Sequence, residues 1–111
     1  MGGCIMFEPV RSSAETVREK VTSDSALLVC AYETEEEFKE FYLEGAIPLS
    51  EFKSRLSLIE KDNKIIFYCA WPEEASAVGQ AAIYSKEGFK DLEVLDGGVE
   101  AWKKAGYPFQ E

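Results

Sequence analysis

The stretch FYCAWPEEAS, residues 67–76, sets a cysteine where an apolar run ends and a helix start follows. A thiol in that place can be a nucleophile, because it is the thiolate that attacks and helix N–H groups favour it. Pro72 suits a first helical turn, where its missing N–H costs nothing. Residues Ala70, Trp71, Pro72, Glu73, Glu74 and Ala75 would then form the loop before the sulfur of Cys69. Its backbone dipoles favour a thiolate, and equally a persulfide anion. Glu73 and Glu74 oppose this if they face the sulfur, since a carboxylate within about 4–6 Å raises a thiol pKa. The plain alternative is that Cys69 is a small core residue, as unpaired cysteines often are. Trp71 either packs on the domain itself or meets a partner's apolar surface.

The rest of the chain limits the chemistry. It holds 111 residues and no histidine, so Cys-His and Ser-His pairs are excluded, as are His-ligated metals. Its three cysteines, Cys4, Cys30 and Cys69, show no CxxC spacing, and neither a disulfide framework nor a zinc site is expected. No cofactor is implied. The net charge of -9 argues against nucleic acid and anionic lipid as partners. No apolar run is long enough to span a bilayer, and no secretory signal pattern opens the chain. Met6 stands where a myristoylation signal needs Ser or Thr. A cytoplasmic monomer of one domain, residues 1–111, is the expectation.

Strand and helix patterns alternate. CIMF (4–7) reads as a first strand, and Ser12 to Glu15 has capping-box spacing for a helix to about Val21. ALLVCAY (26–32) and KIIFYCA (64–70) are continuous apolar runs of the kind buried on both faces of a parallel sheet. Thr34 to Glu37 offers a second capping box. GAIPL gives a turn or very short strand, and Ser50 can cap a helix with Phe52, Leu56 and Ile59 on one face. EEASAVGQAAIYSKE reads as a helix with a small-residue stripe, Ala75, Val78, Gly79 and Ala82, and Gly88 as its cap. LEVL (92–95), the DGG turn and VEAWKKA complete the series. The fold class is α/β, a small doubly wound parallel sheet flanked by helices.

The segment KIIFYCA...ASAVGQAAIYSKEGFKDLEVLDGGVEAWKKAGYPF resembles the C-terminal half of a rhodanese-like domain. The upstream ALLVCAYETEEEFKEFYLEGAIPLSEF is similar to that family's strand, acidic helix and GHIPGA turn. The resemblance implies a doubly wound α/β fold, with sulfane sulfur carried as a persulfide on the loop cysteine, here Cys69. The departures matter as well. Cys30, Ala31 and Tyr32 stand where the family commonly has Asp-x-Arg. CAWPEEAS lacks the Gly and Arg of C-x-x-G-x-R, the loop is about two residues longer, and Tyr42 takes the histidine place of GHIPGA.

A loop without arginine is poorly suited to dianionic thiosulfate. The expected activity is therefore a sulfurtransferase weak with thiosulfate, using a small sulfur donor or a persulfide-bearing protein. The alternative is a non-catalytic rhodanese-like binding module. A phosphatase ranks last, since its oxyanion needs an arginine clamp.

Overall fold

The computed structural model describes residues 10–23, 25–32, 36, 39, 42, 43, 45–69 and 75–107, with the side chains of 75 and 76 excepted. Five strands form one sheet: β1 (Val10–Ser12), β2 (Leu27–Cys30), β3 (Ala46–Ile47), β4 (Ile65–Tyr68) and β5 (Leu92–Leu95). Their spatial order is β1-β5-β4-β2-β3, and every pairing is parallel. The helices are α1 (Ala14–Thr22), α2 (Leu49–Ser54), α3 (Ala75–Lys86) and α4 (Gly98–Lys104), with a 3₁₀ turn at Leu56–Leu58. The first strand called at 4–7 and the helix called after Thr34 fall largely outside the described residues.

Burial on both sheet faces explains the continuous apolar runs. All four residues of β4 are fully buried. Alternation then sorts side chains into two cores. Ile65, Phe67, Val29 and Val94 meet α2 and α3 on one face. Ile66, Tyr68, Leu28, Cys30 and Leu95 meet α1 and α4 on the other. The first core centres on aromatic rings: Phe52 lies edge-on to Tyr84 at 4.9 Å and to Phe67 at 5.6 Å. Trp102 of α4 is completely buried in the second.

Three local expectations are corrected. The cap of α1 is Ser13, not Ser12: Ser13 Oγ accepts from Thr16 N at 3.2 Å. Ser12 ends β1 instead, and its hydroxyl donates to the buried Glu93 at 2.5 Å. Glu93 needs donors more than the helix needs a second cap. Pro48, not Ser50, precedes α2, its carbonyl accepting from Phe52 N at 3.1 Å, which turns Leu49 and Phe52 inward. On α3 the buried residues are Ala77, Ala81 and Tyr84; of the stripe read from sequence Val78 packs half-buried against the same core, while Gly79 is exposed. Tyr84 stacks on Phe67, and this rotates the helix away from the stripe read from small residues.

Candidate functional site

Cys69 follows β4 directly, at the carboxyl edge of the sheet and close to where the strand order reverses. Ligands of open α/β sheets collect at such places. Its neighbours are fixed by backbone bonds on both sides. Ala31 N donates to the Tyr68 carbonyl at 2.9 Å, which aligns the end of β2 with the end of β4. Val99 N donates to the Cys69 carbonyl at 3.0 Å, so one otherwise unused N–H of α4 is spent on this residue. The turn that permits this is Gly97-Gly98, with φ of +81° and +62°. A Cβ on Gly97 would stand 2.7 Å from that of Ala101.

The side chain of Cys69 packs in the core shared with Ala31, Phe67 and Ala77, and the residue is 2% exposed. Of the other loop residues expected to form the site, Ala70, Trp71, Pro72, Glu73 and Glu74 lie outside the described residues. Ala75 opens α3, as the sequence suggests within a residue or two.

Cys30 sits on the opposite face. It pairs in register with Tyr68, and alternation sends Cys69 the other way. A disulfide between Cys30 and Cys69 would therefore have the sheet in its path. Cys30 instead meets the Tyr68 phenol, whose pKa is pushed up by burial first and then by the adjoining thiol. Both Cys30 and Cys69 are buried thiols rather than half-cystines.

Lys103 lies in the last turn of α4, at the amino edge. Arg11 is exposed on β1, two strands from β4. A second polar centre lies away from the thiol. Glu93, 4% exposed, accepts from Ser12 and from Lys64 Nζ at 2.5 Å, and Lys20 Nζ stands 3.5 Å away. Burial opposes its ionisation, but the bonds from Lys64 and Ser12 outweigh that and hold its carboxyl below the ordinary range. Its partner Lys64 loses by burial and gains more from Glu93 and Asp91, so its pKa is raised. Sequence reading missed this network, although Glu93 inside the apolar run LEVL was its visible sign.

A groove of about 450 Å³ at the amino edge is lined by residues such as Leu27, Arg55, Leu58, Ile59 and Glu60. It holds no nucleophile, and the carboxyl edge remains the candidate site. Among the described residues no His/Cys/Asp/Glu group has the arrangement of a metal site, and no helix is long and apolar enough to cross a membrane.

A five-stranded parallel sheet covered on both faces, with a cysteine directly after its central strand, defines a small doubly wound α/β domain. The family model for the rhodanese-like domain matches residues 13–105, and the chain belongs to that family. Among solved structures, it is similar to the BH2092 protein from Bacillus halodurans, with TM-score 0.76 and 22% identity over 91% of this chain and 76% of that one. A rhodanese-related protein from Thermoplasma volcanium matches with TM-score 0.65 and 22% identity, over 90% and 96% of the two chains. A thiosulfate sulfurtransferase from Pseudomonas aeruginosa matches with TM-score 0.74 and 17% identity, over 93% of this chain but 20% of that one. At these identities the likeness is one of fold. A search of curated proteins finds no match.

Proposed function

We propose that this domain accepts sulfane sulfur on Cys69 and passes it on. The observation that carries the reading is the place of Cys69, immediately after the central strand and ahead of α3. The Cys69 thiolate attacks the outer sulfur of a donor persulfide, R–S–SH. The bond between the two donor sulfurs breaks, Cys69 becomes Cys–S–SH, and R–S⁻ leaves with the electron pair. Loss of the proton gives Cys–S–S⁻, and a thiolate acceptor then takes the outer sulfur and regenerates the Cys69 thiolate. No net oxidation occurs, and no histidine is required. In this reading the persulfide charge lies before the first turn of α3, where helical N–H groups lack intrahelical partners.

Thiosulfate is the weaker donor in this scheme. It would release sulfite by the same attack, but it brings two negative charges to a loop that contains Glu73 and Glu74 and no arginine.

The burial of Cys69 favours a second reading, a rhodanese-like module that binds a partner without turnover. Intact-mass spectrometry of the reduced chain and of Cys69→Ser separates the two. Gain of one sulfur atom by the parent alone, from a persulfide donor, supports the carrier. No gain in folded, reduced protein leaves the binding module.

A further inference from the structure

Strand β1 brings little apolar surface to the sheet. Val10 and Arg11 are exposed, and of its residues Ser12 alone is buried. A buried hydroxyl needs a partner, because burial takes its bonds to water away. Ser12 finds that partner in Glu93. Cysteine and tyrosine aside, these two are the buried polar side chains among the described residues, and they bond to each other. The acceptor is charged near neutral pH, and a hydrogen bond to a charged group is stronger than one between neutral groups. Ser12 is thus seated by its side chain as well as by its pairing with Leu95.

The same residue holds a second group with its main chain. The Ser12 carbonyl accepts from Asp96 N at 2.8 Å, where the turn leaves β5. The other end of that turn is Val99, whose N–H donates to the Cys69 carbonyl at 3.0 Å. Gly97 and Gly98 lie between, both at positive φ, and Gly98 and Val99 are buried. Strand β5 stands between β1 and β4, so the turn after it is tied to both neighbours. The faces of the sheet differ in what they would feel. Alternation puts Glu93 and the Ser12 hydroxyl on the side of Leu95, α1 and α4, where Cys30 packs. The Cys69 side chain packs on the other side. A general loosening at Ser12 therefore reaches Cys30 first, and the turn is what carries it to Cys69.

We infer that Ser12 is a positioning residue for Cys69. Its bond to Glu93 seats its carbonyl, the carbonyl seats the Asp96–Val99 turn, and the turn seats the residue that bears the thiol. The inference rests on the sulfur-relay reading for its place in the chemistry, and it adds a residue that acts on Cys69 from β1, two strands away. The setting held in this way is a shielded one, since Cys69 is 2% exposed. Ser12 thereby limits how often the thiol meets reagents in solution.

The test follows alkylation of the folded full chain by iodoacetamide, with the peptides that hold Cys30 and Cys69 quantified separately by mass. Ser12→Ala removes the hydroxyl and leaves the backbone in place. It should speed alkylation of Cys69 about 10-fold, the factor that about 1.4 kcal/mol of lost restraint gives, and that of Cys30 much less. Ser12→Thr keeps a hydroxyl and should return the Cys69 rate toward that of the parent. Glu93→Gln leaves an acceptor without its charge and should also speed Cys69. Adding Ser12→Ala to Glu93→Gln should then do less than Ser12→Ala alone, because members of one network couple. An unchanged Cys69 rate in Ser12→Ala, a rise shared equally by Cys30, or no recovery in Ser12→Thr would overturn the inference. Should Ser12→Ala fail to fold, Glu93→Gln decides by the same comparison of the two thiols. Sulfur gain from cysteine persulfide is followed alongside. Its absence in the parent sinks the relay reading by itself, and the alkylation rates still decide the role of Ser12.

Discussion

The Val99 N–H donates to the Cys69 carbonyl at 3.0 Å, so the first turn of α4 and the end of β4 are joined at the candidate nucleophile. Gly97 makes that join possible. Its φ is +81°, and an added Cβ meets the Ala101 Cβ at 2.7 Å. Gly97→Ala should cost about 1–3 kcal/mol in denaturant unfolding. It should also displace α4 and alter the alkylation rate of Cys69. A stable variant with unchanged Cys69 reactivity would show that the join is incidental.

Cys69→Ser should keep the fold and lose all sulfur loading. Thiol and hydroxyl differ little in size, and the backbone bond from Val99 does not involve the side chain. Circular dichroism and intact mass check the two halves. Continued sulfur gain by the variant would move the carrier role elsewhere.

Oxidation should not join Cys30 to Cys69. The two thiols belong to cores on opposite faces of the sheet, and a disulfide needs Cβ atoms about 3.5–4.5 Å apart on converging bonds. Peptide mapping after mild diamide treatment of folded protein should find no such pair. Its appearance in native conditions would contradict the face assignment.

Glu93→Gln should cost about 2 kcal/mol near neutral pH, the scale of lost hydrogen bonds to a charged group. The sign with pH follows from the depressed carboxyl. The ionised form stabilises the fold above the ordinary glutamate pKa, about 4.3. That contribution is lost as pH falls through the lower folded value. The parent and variant should therefore converge in acid, as urea titrations from pH 7 to pH 2 can show. Lys64 behaves oppositely: its raised pKa supports the fold below about 10.4 and fails as pH climbs beyond the folded value.

Trp102→Ala should cost about 3–5 kcal/mol, because the ring is wholly buried between α1, α4 and the sheet. Loss of under 1 kcal/mol would mean that this core collapses around the gap.

The sheet was legible because strands buried on both faces leave uninterrupted apolar runs, as at Leu27–Cys30 and Ile65–Tyr68. Cys69 was legible because it ends such a run before a helix start. Ser12 was misread since two adjacent serines both satisfy a capping rule, and only the distant Glu93 decides between them. The buried face of α3 was misread for a related reason. Small residues suggest contact, but Tyr84 chooses the face through Phe52 and Phe67, which lie far off in sequence. The place of Cys30 behind the sheet became visible only once register was known.

Among the described residues, strand β1 pairs with β5 alone. On a ribosome, the first strand of the sheet must therefore wait, its ladder unfilled, until residues 92–95 have emerged. The same late stretch brings Val99 to Cys69. A nascent chain halted before that point can assemble β2, β3 and β4 but cannot close the sheet or finish the surroundings of its thiol. Synthesis order thus makes the last crossover a checkpoint both for closing the sheet and for completing the surroundings of Cys69.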